Sequence, residues 1–355
     1  MLIGTCLVNK LRSKLATKTS GGSNMATLAN REGSAMIGTG NDGHDERFEV
    51  SVAAHRIVAE AVVELSLERV DGITLPYFSP GSHIDLEFGN GIVRQYSLLG
   101  GNDRIWRVAI LREPQSRGGS EAAHQLKTGN RLYVRGPRNH FALKNAPGYI
   151  FIAGGIGITP LMPMMAAAET AGAHWHLHYG GRRAGSMAYA DVLASAYPGK
   201  VTIYPQDVGG LLPLDALVCN PKPETLIYCC GPEPLLQAVE AATAHWPADS
   251  LKVERFSPRE IEMDGPDKPI EVVLASSGLT VQVGPDQTIL EAVTAAGIEV
   301  LTSCQEGTCG TCETVVIEGE PDHRDSILTE SERVAGKSMM ICVSRARSAK
   351  LVLDL

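Results

Sequence analysis

The sequence lacks the features that would direct it to a membrane or to nucleic acid. No apolar run approaches the roughly 20 residues that a membrane-spanning helix needs, although 44% of the 355 residues are hydrophobic. Residues 1–15 lack a charged region followed by an uninterrupted apolar stretch, so they do not resemble a secretory signal. Basic residues are not in excess, and a net charge of −8 disfavours nucleic acids and anionic membranes as partners. These absences predict a soluble cytoplasmic protein.

The cysteines lack the two C-x2-C pairs that are usual in a zinc site. The spacing that is present is C-x4-C-x2-C…C, formed by Cys304, Cys309, Cys312 and Cys342. Four thiolates with this spacing hold a plant-type 2Fe–2S cluster. Three of them come from one short loop, in which Gly307 and Gly310 permit sharp turns and leave amides free to point at the sulfurs. A zinc site or a disulfide cluster is the alternative, but the spacing favours the one-electron carrier.

The other cysteines and the charge distribution indicate the compartment and a surface. Cys6 lies in a predicted tail, and Cys219 and Cys229 are predicted to be small buried hydrophobes. The absence of a disulfide framework indicates a reducing cytoplasm. Residues 268–355 contain thirteen Asp and Glu against seven Lys and Arg. This excess is either an ordinary solvated acidic surface or a docking face for a basic partner.

The pattern along the chain predicts a multi-domain fold with five segments. The predicted boundaries are 1–45 for a disordered extension, 46–146 for a barrel, 147–257 for an α/β domain, 258–268 for a linker and 269–355 for a β-grasp ferredoxin domain. The first segment is polar and aperiodic, and Met25 and Met36 are alternative starts. Short strands separated by Gly, Pro and Asn predict the antiparallel barrel. Alternating strands and helices predict a parallel sheet with helices on both faces. Helices are predicted at Pro160–Ala171, Tyr189–Ala196, Pro234–His245 and Thr288–Ala296.

Two motifs on the predicted barrel suit a flavin. Arg94-Gln95-Tyr96-Ser97 is predicted to end a strand, and Arg117-Gly118-Gly119-Ser120 is predicted to open a helix. Free amides, a hydroxyl and the positive end of a helix dipole suit a phosphate, and Arg94 can add a bidentate salt link. Tyr96 can lie flat on a cofactor ring. Each motif alone is weak, since one is an ordinary turn and the other an ordinary strand, but together they favour a flavin.

Two further motifs suit a dinucleotide. Gly154, Gly155 and Gly157 lie between a buried strand and a helix, where a diphosphate can approach the backbone. The run is not a strict G-x-G-x-x-G, so it is of middling strength. Thr159 is predicted to cap the helix and can also reach a flavin. Cys230-Gly231-Pro232 is predicted at the carboxyl edge of the sheet, where ligands bind, although simple packing also explains Cys230.

These motifs, in this order, resemble the phthalate dioxygenase reductase family over residues 48–355. The resemblance also covers Pro137-Arg138-Asn139, Gly319 to Asp325 and Ser344 to Ser348. It implies FMN rather than FAD, NADH as the donor and a Rieske-type oxygenase as the acceptor. It further implies that Arg94, Gln95, Ser97, Val108, Ala109, Ile110, Gly118, Gly119, Ser120 and Thr159 contact the flavin and that Phe256 covers it. The sequence departs from the family at Gln305, where Glu is usual, and at His140.

The sequence is therefore interpreted as an NADH-dependent reductase that passes electrons singly from flavin to cluster to a separate oxygenase. The residues expected to carry the reaction are Ser97, Thr159, Cys230 and Phe256. Asp207 favours NADH, although Arg182-Arg183 could serve an NADPH phosphate. A monomer is expected. The alternatives are a di-iron monooxygenase reductase, which has its ferredoxin module first, and a non-catalytic electron-transfer subunit, in which the gap before the fourth cysteine is much shorter.

Overall fold

Residues 46–89, 91–259 and 265–355 are described by a computed structural model. The predictions for residues 1–45, which include Cys6, Met25 and Met36, lie outside these residues, as does part of the predicted linker (residues 260–264). Within the described residues, no helix is long and apolar enough to cross a membrane.

Six antiparallel strands close into a barrel in the order β1-β2-β5-β4-β3-β6. The strands are β1 (Arg47–Ala59), β2 (Val62–Arg69), β3 (His83–Glu87), β4 (Val93–Gly101), β5 (Trp106–Leu111) and β6 (Arg131–Arg138), and helix α1 (Gly119–Gln125) precedes β6. Alternate side chains along the strands, such as Leu65, Leu67 and Ile84, fill the interior. The predicted antiparallel barrel is confirmed.

The Arg94–Ser97 motif lies in the first half of β4, so the prediction that it ends a strand was wrong. A turn at Gly91, where φ is 77°, ends the preceding hairpin arm, and β4 begins directly after it. The strand then continues through Leu98 and Leu99, which are both buried, because this apolar pair packs inside the fold. The motif is therefore placed on the wall of the barrel rather than in a loop.

A five-stranded parallel sheet follows in the order β11-β10-β7-β8-β9. Its strands are β7 (Gly148–Gly154), β8 (His174–Gly181), β9 (Val201–Pro205), β10 (Thr225–Cys230) and β11 (Leu251–Glu254), and its helices are α2 (Ile158–Thr170), α3 (Ala190–Ala196), α4 (Gln206–Gly209), α5 (Leu214–Val218) and α6 (Glu233–Ala242). Phe151 of β7 packs on one face with α2 and α3, and Ile152 packs on the other with α5 and α6. This confirms helices on both faces.

The C-terminal region forms a mixed sheet in the order β13-β12-β18-β14-β16, with a separate β15-β17 pair. The elements are β12 (Ile270–Leu274), β13 (Leu279–Val283), α7 (Ile289–Ala295), β14 (Glu313–Glu318), β15 (Pro321–Asp322), α8 (Glu330–Ala335), β16 (Ser338–Met340), β17 (Arg345–Ala346) and β18 (Lys350–Leu353). Thr288 caps α7, since its hydroxyl accepts the Glu291 amide and the Glu291 carboxylate accepts the Thr288 amide. The helix predicted at Thr288–Ala296 is confirmed and is one residue shorter at each end.

The exposure of one cysteine and the start of one helix differ from the predictions. Cys229 is buried as predicted, but Cys219 is exposed beyond the end of α5, where its thiol contacts the Ala216 carbonyl. The predicted helix at Pro160–Ala171 begins two residues earlier, at Ile158, because a 3-10 turn over Gly155–Gly157 leads straight into it.

Candidate functional site

The four predicted cluster ligands converge at one end of the C-terminal sheet. Cys309, Cys312 and Cys342 are buried, and Cys304 is half-buried. The amides of Glu306 and Thr308 both point at the Cys304 sulfur, at 3.3 and 3.4 Å. These donors fit a deprotonated thiolate.

The cysteine loop follows the backbone path that its glycines were predicted to permit. Gly307 and Gly310 have φ angles of 70° and 73°, a region that favours glycine. Gln305, a departure from the family, also has a positive φ of 56°. The loop therefore turns sharply around the predicted ligands, as required for wrapping a cluster.

The predicted flavin residues of the barrel line a cavity of about 410 Å³. The residues from both motifs that line it are Arg94, Gln95, Tyr96, Ser97, Arg117, Gly119 and Ser120, joined by Ala109 and Ile110 of β5. Val108 does not line it, because its side chain is fully buried in the barrel core. Gly118 is not among the lining residues either; it is the N-cap residue of α1 and has a φ of 90°.

The end of this cavity at which the anion site was predicted is shaped by Gly119. A Cβ added at Gly119 would lie 2.4 Å from Cγ of Arg94, so only glycine lets the arginine reach past the start of α1. The Arg94 guanidinium donates to the Val93 and Arg117 carbonyls, at 2.7 and 2.9 Å. These bonds hold the cation beside the Gly119 and Ser120 backbone, as the prediction of an anion site requires.

The cavity is also lined by polar groups that burial keeps neutral. Burial lowers the pKa of His83 to about 3, and its Nε2 atom has no hydrogen-bond partner among the described residues. Burial raises the pKa of Tyr96, and its ring packs edge-on against Phe88, with ring centroids 6.4 Å apart. An orphaned buried nitrogen beside Ser97 fits a heteroaromatic ligand with polar edge atoms.

The two dinucleotide motifs meet at the carboxyl edge of the parallel sheet. A Cβ on Gly157 would lie 2.2 Å from the Cys230 carbonyl oxygen, and one on Gly154 would lie 2.7 Å from Pro232 Cδ. Gly155, which has a φ of 53°, turns the chain between them, and a Cβ there would meet nothing within 4 Å. Because these glycines have no side chains, the two backbone segments can approach closely and the edge of the sheet stays open to a ligand.

Thr159 and Phe256 belong to the parallel-sheet region and line the same cavity as the barrel residues, the flavin-side cavity. Thr159 lies inside the first turn of α2, and its hydroxyl donates to the Ile156 carbonyl at 3.0 Å. The prediction that it caps the helix was wrong, since Gly157 occupies the cap position. Phe256 is 44% exposed, which is unusual for a phenylalanine beside a cavity and leaves one face available to a ligand.

Glu254 is a cavity residue that sequence reasoning passed over. Its carboxyl Oε2 lies 3.9 Å from the Cys230 sulfur, and burial raises the pKa of Glu254 to about 8. Burial also raises the pKa of the Cys230 thiol. The signal was present in the run Val253-Glu254-Arg255-Phe256, in which only the aromatic was selected. His83, Glu306 and Thr308 were likewise missed, because they come from distant parts of the chain.

The residues predicted to select the nicotinamide cofactor lie at the far end of the sheet. Asp207 is exposed in the first turn of α4, and its amide donates to the Arg182 carbonyl at 3.3 Å. The Arg183 guanidinium pairs with Glu60 at 2.6 Å. The backbones of Asp207 and Arg182 are therefore adjacent, whereas the Arg183 side chain is engaged by Glu60.

Two family models match this chain. An oxidoreductase NAD-binding domain matches residues 151–241, and a 2Fe-2S iron-sulfur cluster binding domain matches residues 272–347. The second match supports the cluster over the zinc and disulfide alternatives. The chain is thus an oxidoreductase that combines a dinucleotide site with a one-electron centre.

The chain is also similar to characterised proteins over most of its length. It is 42% identical over 315 residues to the phenoxybenzoate dioxygenase subunit beta of Ectopseudomonas oleovorans, covering 86% of this chain and 97% of that protein. The crystal structure of phthalate dioxygenase reductase is 32% identical, has a TM-score of 0.64 and is matched over 88% of this chain and 98% of its own. An intact type IV self-sufficient cytochrome P450 monooxygenase is 46% identical with a TM-score of 0.82, but the match spans 41% of that longer chain and 87% of this one. The chain belongs to the phthalate dioxygenase reductase family.

Proposed function

We propose that this member of the phthalate dioxygenase reductase family uses NADH, FMN and a 2Fe–2S cluster to deliver single electrons to a separate oxygenase. One observation carries the proposal: the cavity is shared by all three parts of the fold. Arg94 lines it from the barrel, Phe256 follows the parallel sheet, and Glu306 and Thr308 belong to the cysteine loop. A cofactor bound there would contact the donor side and the cluster side together.

The cavity supports FMN through the anion site at Arg94 and Gly119. Arg94 is the cation beside Gly119, and Ser120 adds a hydroxyl that donates to Ser116 at 2.9 Å. The buried polar residues His83 and Ser97 suit the polar edge of an isoalloxazine. A flavin supplies the ability to accept a hydride and to release electrons one at a time.

The parallel sheet supports NADH binding across its carboxyl edge. Gly154 and Gly157 leave the backbone accessible to a diphosphate, and Cys230 places a small buried side chain beside the cavity. We propose that Phe256 covers the flavin site and moves aside for the nicotinamide. Hydride transfer needs the reacting atoms at about 3–3.5 Å, so the task of Thr159, Cys230 and Phe256 is positioning, with no general acid or base.

The acceptor is proposed to be a Rieske-type oxygenase. The relative named as a dioxygenase subunit supports this choice. The self-sufficient cytochrome P450 monooxygenase supports a second candidate, a haem monooxygenase. The acidic excess in residues 268–355 favours a basic docking face on either acceptor.

The test has three steps with separate outcomes. Flavin released by heat should chromatograph as FMN at one per chain, and FAD would contradict the proposal. NADH added without oxygen should bleach the flavin and then reduce the cluster. The reduced protein should then reduce a purified Rieske oxygenase, and reduction of a P450 instead, seen by its carbon monoxide difference spectrum, would select the second candidate.

Three further predictions belong to this proposal. We propose that the segments 46–146, 147–257 and 269–355 are domains joined by a linker at 258–268, a division supported by family matches that fall inside the last two. A monomer is proposed, and light scattering of the purified chain tests it. A cytoplasmic location is proposed because thiolate ligands need a reducing compartment.

A further inference from the structure

Among the described residues, three contacts between the cysteine loop and the barrel side differ in kind. The Glu306 carboxylate pairs with Arg117, where both side chains are accessible to water. Gly310 packs under the His140 ring, which a Cβ at Gly310 would meet at 2.4 Å. The third point is Ser303, which directly precedes the predicted ligand Cys304 and contacts a fully buried group.

Ser303 enters a closed hydrogen-bond network on the barrel wall. Its hydroxyl donates to Oδ2 of Asp85 at 2.6 Å. Nε2 of Gln95 donates to Oδ1 of Asp85 at 2.9 Å and to the Ser303 hydroxyl at 2.5 Å. Nη2 of Arg138 lies 2.6 Å from the same carboxylate. Asp85 and Gln95 are cross-strand partners on β3 and β4, so the barrel itself fixes two members of the network.

The charge at the centre of this network is costly to place there. The Asp85 side chain is fully buried, and a buried ion pair rarely stabilises a fold more than apolar packing would. Such groups are best attested where they specify one arrangement of the parts that they join. Here the parts are the cavity wall, which Gln95 lines, and the loop that carries three of the four cysteines.

We propose that Ser303 and Asp85 are positioning residues that hold the cysteine loop at a fixed separation from the flavin-side cavity during single-electron transfer. The inference deepens the proposed function and rests on it. A hydrogen bond to a charged acceptor is short and strong, and Cα of Ser303 is about 3.8 Å from Cα of the ligand Cys304. Loss of this hydrogen bond frees the loop at Cys304, the predicted ligand next to Ser303.

The test compares Ser303→Ala with Ser303→Thr and with a matched control. Ser276 donates to Asp354 at the same 2.6 Å, but within the C-terminal sheet, so Ser276→Ala removes a serine–aspartate bond of equal length away from the barrel. Amide hydrogen exchange in residues 304–308 should become about tenfold faster in Ser303→Ala. The threonine variant and the control should exchange like the unchanged protein.

Stopped-flow absorbance adds a second readout. In Ser303→Ala, cluster reduction should slow by about threefold or more, since misplacement costs rate, while flavin bleaching by NADH and cluster content stay unchanged. Unaltered exchange and unaltered cluster reduction would overturn the inference. Equal losses of cluster content, flavin bleaching and cluster reduction would also overturn it, because they indicate a folding role. If the unchanged protein is not reduced by NADH, the proposed function fails, while the exchange measurement still decides whether Ser303 holds the loop.

Discussion

The two sides of the cavity are built from different chemistry. The donor side is made by close backbone approach, in which Gly154 and Gly157 lie against the Cys230–Pro232 turn and the half-exposed Phe256 lines the cavity. On the cluster side, the polar and charged side chains of Asp85, Arg138 and Ser303 join the cysteine loop to the barrel. A dinucleotide must enter and leave, which fits a side with an exposed aromatic ring at Phe256. A cluster stays in place, and on its side a hydrogen bond and an ion pair hold the cysteine loop to the barrel.

The largest expected effect separates the two sides completely. Cys309→Ser removes a direct iron ligand, so support of an oxygenase should fall on the order of 100-fold or more. The flavin should remain and still be bleached by NADH, and ferricyanide, which takes electrons from flavin, should still be reduced. Cys219→Ser is the control, since that thiol is exposed and lies far from the loop in sequence. Loss of flavin bleaching in a folded, FMN-loaded Cys309→Ser protein would show that the two centres do not act in series.

The next effect is confined to the donor side. In Gly157→Ala, the new Cβ would lie 2.2 Å from the Cys230 carbonyl and 2.7 Å from the Gly231 amide nitrogen. Both contacts are backbone and cannot rotate away, so the edge of the sheet must shift. We expect kcat/KM for NADH to fall about 10- to 100-fold with cluster content retained.

A control for that variant is available on the barrel. Gly89→Ala adds a Cβ that meets nothing within 4 Å, at a glycine outside the positive-φ set, so its kinetics should match those of the unchanged protein. An unaltered kcat/KM for NADH in Gly157→Ala would mean that the dinucleotide does not use this edge.

The contrast between the two sides also explains what sequence could predict. The donor side depends on local motifs, such as Gly154–Thr159, in which a few adjacent residues define both a turn and a ligand edge. Three of the four cluster ligands, Cys304, Cys309 and Cys312, were equally local. The tie between Asp85 and Ser303 joins residues far apart in the chain, and neither has a motif of its own. Thr159 was predicted to cap α2 because the sequence of the 3-10 turn before this helix cannot be distinguished from that of an ordinary loop.

Glu254 gives the donor side a dependence on pH. Burial raises the pKa of its carboxyl from about 4.5 to about 8, so between these values the folded protein keeps a proton that the unfolded chain has lost. The stability from this group is complete below about pH 4.5 and is lost as the pH rises through 8. Between pH 6 and pH 8, the free energy of unfolding of the unchanged protein should therefore fall by about 2 kcal/mol relative to that of Glu254→Gln. Urea unfolding of both proteins at the two pH values measures this difference. If the free energies of unfolding of the two proteins changed equally with pH, Glu254 would be ionised in the cavity.

The smallest expected effect concerns which nicotinamide cofactor the donor side accepts. Asp207 lies at the end of β9, beside the backbone of Arg182, where a carboxylate can bond a ribose hydroxyl and repel a 2′-phosphate. Asp207→Asn should lower the preference for NADH over NADPH by about tenfold, the equivalent of about 1.4 kcal/mol, because it removes the repulsion but keeps the size. Asp215→Asn, at an exposed aspartate in the first turn of α5, should leave the preference unchanged. A preference for NADPH in the unchanged protein would instead mean that Arg182 or Arg183 meets the phosphate, with Arg183 first leaving its pair with Glu60.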